Sequence, residues 1–447
     1  MHPPFPAPWP ASSPDERAIS VGGGSTALSQ PSTRRIVAAG TIGNILEWYD
    51  FAIYGYFASQ IGRAFFPQES AVAQLLSAFG IFAVGYLMRP LGAILLGHIG
   101  DKYGRRTALT VSVAAMAIPT FLVGVLPGYA VLGIMAPVLL TFLRMVQGLS
   151  VGGEYTTSIV FMVEHAPPHR RGFIGSIGES GALLGMLLGS ATGSVLGYLL
   201  PAAAMDEWGW RIPFLAGLLL GLVGFFLRRH MPESAPEASA DHSPAIEIFR
   251  HHRALLARLA GLAIFGAIGF YVVFVYVVSW LQIDERIGTA QALGINTISM
   301  IALLPITLAT GWLSDRIGRK PMIYAALVIA FLGAVPFFAL MSGWAILIGQ
   351  LGLTLAIGLF SGTLPTLMVE SAPVRVRCTV VALGYNVTLG LIGGLTPLVA
   401  TWLVYRTGDL LSPAYLIMGA AVLSFITLFF FKETYRSPLE VHKSPAA

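Results

Sequence analysis

The chain has 447 residues, 55% of them apolar and only 11% charged, with a mean hydropathy of +0.74. That balance excludes a single soluble globule, which could not keep so much apolar surface from water. The formal charge of +5 does not point to nucleic acid: the bases sit in short loops between apolar runs, where an anionic lipid surface is the fitting partner. With Cys378 as the sole cysteine, no internal disulfide and no thiol-based metal site can form.

Residues 1–33 are rich in Pro, Ser, Gly and Ala and lack an apolar core segment, so they read as a disordered tail rather than a signal peptide. Twelve apolar stretches follow, near 36–60, 71–97, 107–127, 136–163, 172–199, 210–228, 255–281, 291–313, 321–341, 344–369, 379–403 and 412–431. Each is long enough to cross about 30 Å of hydrocarbon as a helix. Six precede and six follow a polar segment, which divides the chain into a bundle at 34–228, a linker at 229–254, a second bundle at 255–431 and a tail at 432–447. With both termini cytoplasmic, 21 of the 27 Lys and Arg fall in tails and cytoplasmic loops, which sets the orientation.

One polar turn occurs twice. Gly97, Asp101, Gly104, Arg105 and Arg106 follow the second stretch, and Gly311, Asp315, Gly318, Arg319 and Lys320 follow the eighth, with Asp101 and Asp315 separated by 214 residues (315 − 101). An acid, a helix-breaking glycine and paired bases make a tight turn that an apolar hairpin tolerates only at the bilayer surface. A second pair of segments repeats at a similar offset: Glu164 with Arg170 and Arg171, and Glu370 with Arg375 and Arg377. Recurrence half a chain apart implies a duplicated bundle, and these turns and segments read as gates that close together at the cytoplasmic face.

Charges inside apolar runs cost about 2.5 to 3.5 kcal/mol each at a helix centre and therefore need a use. In the first stretch Asn44, Glu47, Asp50, Phe51 and Tyr54 recur at helical spacing and share a face. In the fourth, Arg144 lies one turn before Gln147, and Glu154 and Tyr155 follow. Asp50 is the expected proton-coupling acid and Arg144 its partner, with Glu47 and Glu154 as alternative carriers and Arg89 as a wall donor or substrate contact. Tyr155, Tyr276, Trp280 and Tyr385, together with Trp48, Tyr49, Tyr54 and Tyr271, supply rings able to face an ammonium group, while Arg144 would take a carboxylate.

The runs around Gly43 to Phe51, Arg89 to Gly92, Arg144 to Tyr155 and Gly209 to Phe214 resemble the metabolite:proton symporter family of the major facilitator superfamily, and most of all its proline/betaine branch. That resemblance implies an all-α membrane protein of twelve transmembrane helices in two pseudo-symmetric six-helix bundles, working by alternating access as a monomer in the cell inner membrane. It also implies a small-molecule substrate carried with protons. Asp50 with Arg144 is similar to the acid and base of related sugar:proton symporters. Citrate and α-ketoglutarate carriers share much of the pattern, which leaves a di- or tricarboxylate as the alternative to a zwitterion. Less favoured readings are an uncoupled facilitator, a proton-antiporting exporter and a non-transporting sensor. No zinc-protease motif, nucleophile elbow or phosphate-binding loop marks an enzyme or an ATP-driven pump, and no metal or cofactor is expected.

Overall fold

In oil every backbone amide must be satisfied within its own segment, and apolar runs of this length can do so only as helices. The computed structural model describes residues 33–67, 69–103, 105–151, 154–229, 244–283, 287–343 and 345–439, and no strand occurs among them. The readings made on residues 1–32, on most of the linker and on 440–447 lie outside the described residues.

The helices form twelve rods that fall on the twelve predicted stretches. The first is Thr33–Tyr56 with Ala58–Phe65, and the second Ala71–Leu87 with Arg89–Tyr103. The third is Arg105–Val125, the fourth Met135–Ser150 with Glu154–Glu164, the fifth Arg171–Leu199 and the sixth Ile212–Arg229. After a short helix at Pro244–His251 come the seventh (Arg253–Tyr271 and Val277–Ile283), the eighth (Thr289–Ile317) and the ninth (Arg319–Met341). The tenth (Ile346–Ser361 and Leu364–Glu370), the eleventh (Arg377–Thr388 and Thr396–Thr407) and the twelfth (Ser412–Phe429) complete the series. Among the described residues nine helical runs are individually long and apolar enough to cross a membrane, and the third and sixth are shorter apolar helices.

The breaks have local causes. Pro90 has no amide hydrogen to give and ends regular pairing at Met88, so Arg89 sits at the interruption of the second rod. In the seventh and eleventh rods, π-turns at Val272–Tyr276 and Leu389–Gly393 each insert an extra residue, a distortion that clusters at functional positions. The second and fourth rods approach closely because Gly148 lies against the Gly85 carbonyl, where a side chain would collide.

Large apolar side chains cover the outside, among them Ile94, Val131, Leu199, Leu332 and Phe429. Charged and amide groups lie inside instead, including Glu47, Asp50, Arg89, Arg144, Gln147 and Glu179. Such an inversion suits lipid, which is as apolar as leucine and leaves polar groups only the interior. Between the two six-helix halves the fifth and eighth rods make the most extensive contact.

Candidate functional site

Helical spacing on the first rod aims Asn44, Glu47, Asp50 and Tyr54 inward, each 7% exposed or less. Asp50 meets three donors. Gln147 Nε2 donates to both of its oxygens at 2.8 and 3.0 Å, Thr120 on the third rod donates through its hydroxyl, and Arg144 Nη1 lies 3.5 Å away. Arg144 is held by other means as well. Its Nη1 donates to Gln147 Oε1 at 3.0 Å, and its guanidinium sits 4.3 Å from the Tyr54 ring centre and 4.8 Å from that of Phe51. The Nε and Nη2 of this base, fully buried, have no hydrogen-bond partner among the described residues. A loose ion pair with spare donors can exchange partners at lower cost than a saturated one.

A second pair lies beside the first. Arg89 Nη2 donates to Glu47 at 2.6 Å, and its guanidinium is 5.0 Å from the Tyr86 ring centre and 5.9 Å from that of Trp48. Its Nε and Nη1 also lack partners among the described residues.

Trp48, Phe270, Tyr271, Phe360 and Tyr385 wall a narrow cleft between the two halves. Glu179 of the fifth rod lines the same cleft and accepts the Tyr155 hydroxyl, while the Tyr155 ring stacks on Tyr385 with centres 5.1 Å apart. Glu179 was not among the residues expected from sequence. The signal was present as a lone acid inside an apolar run, but Gly178, Ser180 and Gly181 around it form no recognisable motif.

Both ends of this space are tied across the halves. At one end Gln60 Nε2 donates to Thr289 at 3.0 Å and Gln282 at 3.4 Å. The other end bears the repeated turns. There Asp315 accepts the backbone amides of Gly172 and Phe173 at 2.8 and 2.9 Å, at the start of the fifth rod, and pairs with Arg319 at 2.8 Å. Arg319 also donates to both oxygens of Glu370, at 3.1 Å each. Gly318 makes the turn possible with φ +112, a conformation unfavourable to other residues.

The sequence set the two glutamate segments and the repeated turns together as gates at the cytoplasmic face without pairing their charges residue by residue. The structure crosses them: Glu164 accepts from Arg377 at 2.5 Å, and Glu370 lies 4.0 Å from Arg171. Both acids and both bases are separated by 206 residues (370 − 164 and 377 − 171), so the two pairs are one contact repeated by the pseudo-symmetry. Arg375 is exposed in the turn Val374–Val376.

Other expected positions are distributed as follows. Asn44 donates to Ser158 at 3.5 Å. Tyr54 donates to the Ala78 carbonyl at 3.2 Å, so it seats Arg144 and does not line the cleft. Tyr276 is buried at the end of its π-turn, and Trp280 packs on Phe338 with ring centres 5.6 Å apart; neither lines the cleft. Gly97 lies within the helix Arg89–Tyr103, while Gly104 and the side chains of Asp101, Arg105, Arg106 and Glu154 lie outside the described residues. Among the described residues no cluster of three or more metal-ligating side chains occurs.

Residues 40–395 match the model of the Major Facilitator Superfamily. A glycine betaine/proline/ectoine/pipecolic acid transporter of Dickeya dadantii is 36% identical, covering 94% of this chain and 87% of that protein. Proline/betaine transporters of Salmonella typhimurium and Escherichia coli are 35% and 34% identical, each covering 94% of this chain and 88% of the relative. Among solved structures, a D-xylose-proton symporter superposes with TM-score 0.73 at 20% identity, covering 91% of this chain and 99% of that one. The E. coli xylose transporter in a partially occluded inward-open conformation gives 0.71 at 20% identity, covering 90% and 98%. These two likenesses concern the fold alone.

Proposed function

Because this chain belongs to the Major Facilitator Superfamily, a superfamily of membrane transporters and not of enzymes, we propose that it takes up a small zwitterion such as proline or a betaine together with protons. The observation that carries this reading is the Asp50–Arg144 contact: 3.5 Å long, 2% and 0% exposed, and completed by Gln147 and Thr120. A substrate carboxylate satisfies the spare donors of Arg144 and draws the base from Asp50. A buried carboxylate stripped of its counter-charge takes a proton. Release of substrate reverses the exchange, so proton and solute move in one event. Glu47 is held by Arg89 at 2.6 Å, a tighter pair that leaves Asp50 the more exchangeable acid; Glu154 remains the alternative.

In this proposal the two halves are the units 34–228 and 255–431, which rock about the central cleft. The basic end faces the cytoplasm with both termini, the membrane is the bacterial inner membrane, and the working unit is a monomer. Names of the relatives favour a zwitterion over a di- or tricarboxylate.

The test is uptake into proteoliposomes under an imposed pH gradient, with proline, glycine betaine, α-ketoglutarate and citrate as competitors. Asp50→Asn is expected to abolish acid-driven accumulation and to retain exchange of substrate across the membrane. Uphill accumulation by that variant at the wild-type level would remove Asp50 from the coupling step.

A further inference from the structure

We propose that Glu179 and the rings facing it form a subsite for a methylated, quaternary ammonium head. The inference deepens the zwitterion reading and relies on it only for the opposite, anionic end of the ligand.

Glu179 is 8% exposed and lines the cleft between the halves. Its Oε2 accepts from Tyr155, and among the described residues no Lys, Arg or His pairs with it within 4.0 Å, whereas Glu47 and Asp50 each have an arginine. A charge set into a membrane interior without a partner is costly unless a ligand supplies the partner. A zwitterion supplies that partner by adding its cation at Glu179 while its anion goes to an arginine.

The walls select the kind of cation. Trp48, Phe270, Tyr271, Phe360 and Tyr385 present ring surface to the cleft, and cations are drawn to such faces. The hydroxyls of two nearby tyrosines are committed elsewhere: Tyr155 donates to Glu179, and Tyr271 to the Tyr86 hydroxyl at 2.6 Å. A primary ammonium would bring three N–H groups, of which Glu179 can accept one or two while ring faces satisfy the remainder poorly. A quaternary ammonium brings none and loses nothing there. Trp48 joins the two ends, since its ring lies 5.9 Å from that of Tyr155 and also 5.9 Å from the Arg89 guanidinium, whose Nε and Nη1 are unpaired among the described residues. A ligand laid across Trp48 has its head toward Glu179 and its carboxylate toward Arg89, whose guanidinium shares the Phe51 ring with that of Arg144, at 5.3 and 4.8 Å.

Equilibrium binding to the purified full chain tests this with glycine betaine and 3,3-dimethylbutyrate, the same shape with a carbon in place of the charged nitrogen. The wild type is expected to prefer betaine by about tenfold or more, and Glu179→Gln to bring the two within about twofold. Glu179→Asp should keep the preference. If Glu179→Gln does not purify folded, Tyr385→Leu reads the same ratio by removing a wall and should also lower it. An unchanged ratio in these variants, or no preference in the wild type, overturns the subsite. A preserved binding preference in a protein that shows no proton-driven uptake would instead overturn the transport reading and leave the subsite standing.

Discussion

The crossed ion pairs at the basic end are alike in sequence but not in surroundings, and that difference sets the size of two substitutions. Across the halves Glu370 and Arg171 have side chains only 2% and 6% exposed and lie 4.0 Å apart, while within its own half Glu370 also holds Arg319 through two hydrogen bonds at 3.1 Å and the Thr434 hydroxyl at 2.6 Å. Removing one partner of such a buried pair costs about 3 to 5 kcal/mol. The contact to Arg171 is long and the buried Arg171 keeps the Ser437 carbonyl at 3.1 Å, so Glu370→Gln belongs at the lower limit, about 3 kcal/mol, which lowers the ratio of closed to open ends by about a hundredfold. Glu164 is 21% exposed on its side chain and, among the described residues, makes one ion pair, at 2.5 Å to Arg377. Solvent screening reduces its share to about 1 kcal/mol, a change of about fivefold. Native Cys378 is exposed beside Arg377, and His169 is exposed on the facing half, so spin labels on Cys378 and on His169→Cys report the gap directly. Glu370→Gln is expected to move most of the distance distribution to longer separations, and Glu164→Gln to add only a minor long component. Equal effects of the two variants, or a larger one from Glu164→Gln, would refute the burial argument.

Two further outcomes follow from packing and capping. Gly148→Val places a branched side chain against the Gly85 carbonyl and Met88, wedging the second rod from the fourth; overpacking of this kind costs about 1 to 3 kcal/mol, so the melting midpoint of the purified protein should fall, and an unchanged midpoint would contradict the close approach. Glu433 accepts the first backbone amides of the ninth rod, from Arg319 at 2.8 Å and Lys320 at 2.9 Å, and Glu433→Ala should remove about 1 to 2 kcal/mol of capping, seen as faster amide exchange at those two residues.

Much of the architecture was readable before any coordinates, because hydropathy dictates where a backbone can cross oil. The stripe from Asn44 to Tyr54 and the one-turn spacing of Arg144 and Gln147 were legible for the same reason: periodicity fixes which residues share a face. What spacing could not reveal was which face meets which across helices. Tyr54 faces inward as expected, yet its hydroxyl goes to Ala78 and its ring to Arg144. Glu179 gains its meaning from Tyr155 and Tyr385, which lie on other rods. The 206-residue offset was visible, but whether Glu164 chooses Arg171 or Arg377 depends on the halves meeting, which no local pattern encodes. Residues after 431 read as a tail, whereas Glu433, Thr434 and Ser437 dock on the gate, the last accepting from Arg171 at 3.1 Å.

The fifth rod connects these features mechanically. It begins at Arg171 and with the Gly172 and Phe173 amides that grip Asp315, and it carries Glu179 about two turns later, roughly 12 Å along an axis rising 1.5 Å per residue. A helix of that length moves as a unit, so a pull on Glu179 from a cation in the cleft is felt by the hydrogen bonds to Asp315. The opposite end is closed by neutral amide and hydroxyl contacts through Gln60, worth about 0.5 to 1.5 kcal/mol each, against charge-assisted bonds at the basic end. With hydrogen bonds across the halves at both ends, the Gln60 end is the cheaper to open. Opening the basic end requires something to offset its ion pairs, and occupancy of the cleft, acting through the fifth rod, is placed to supply it.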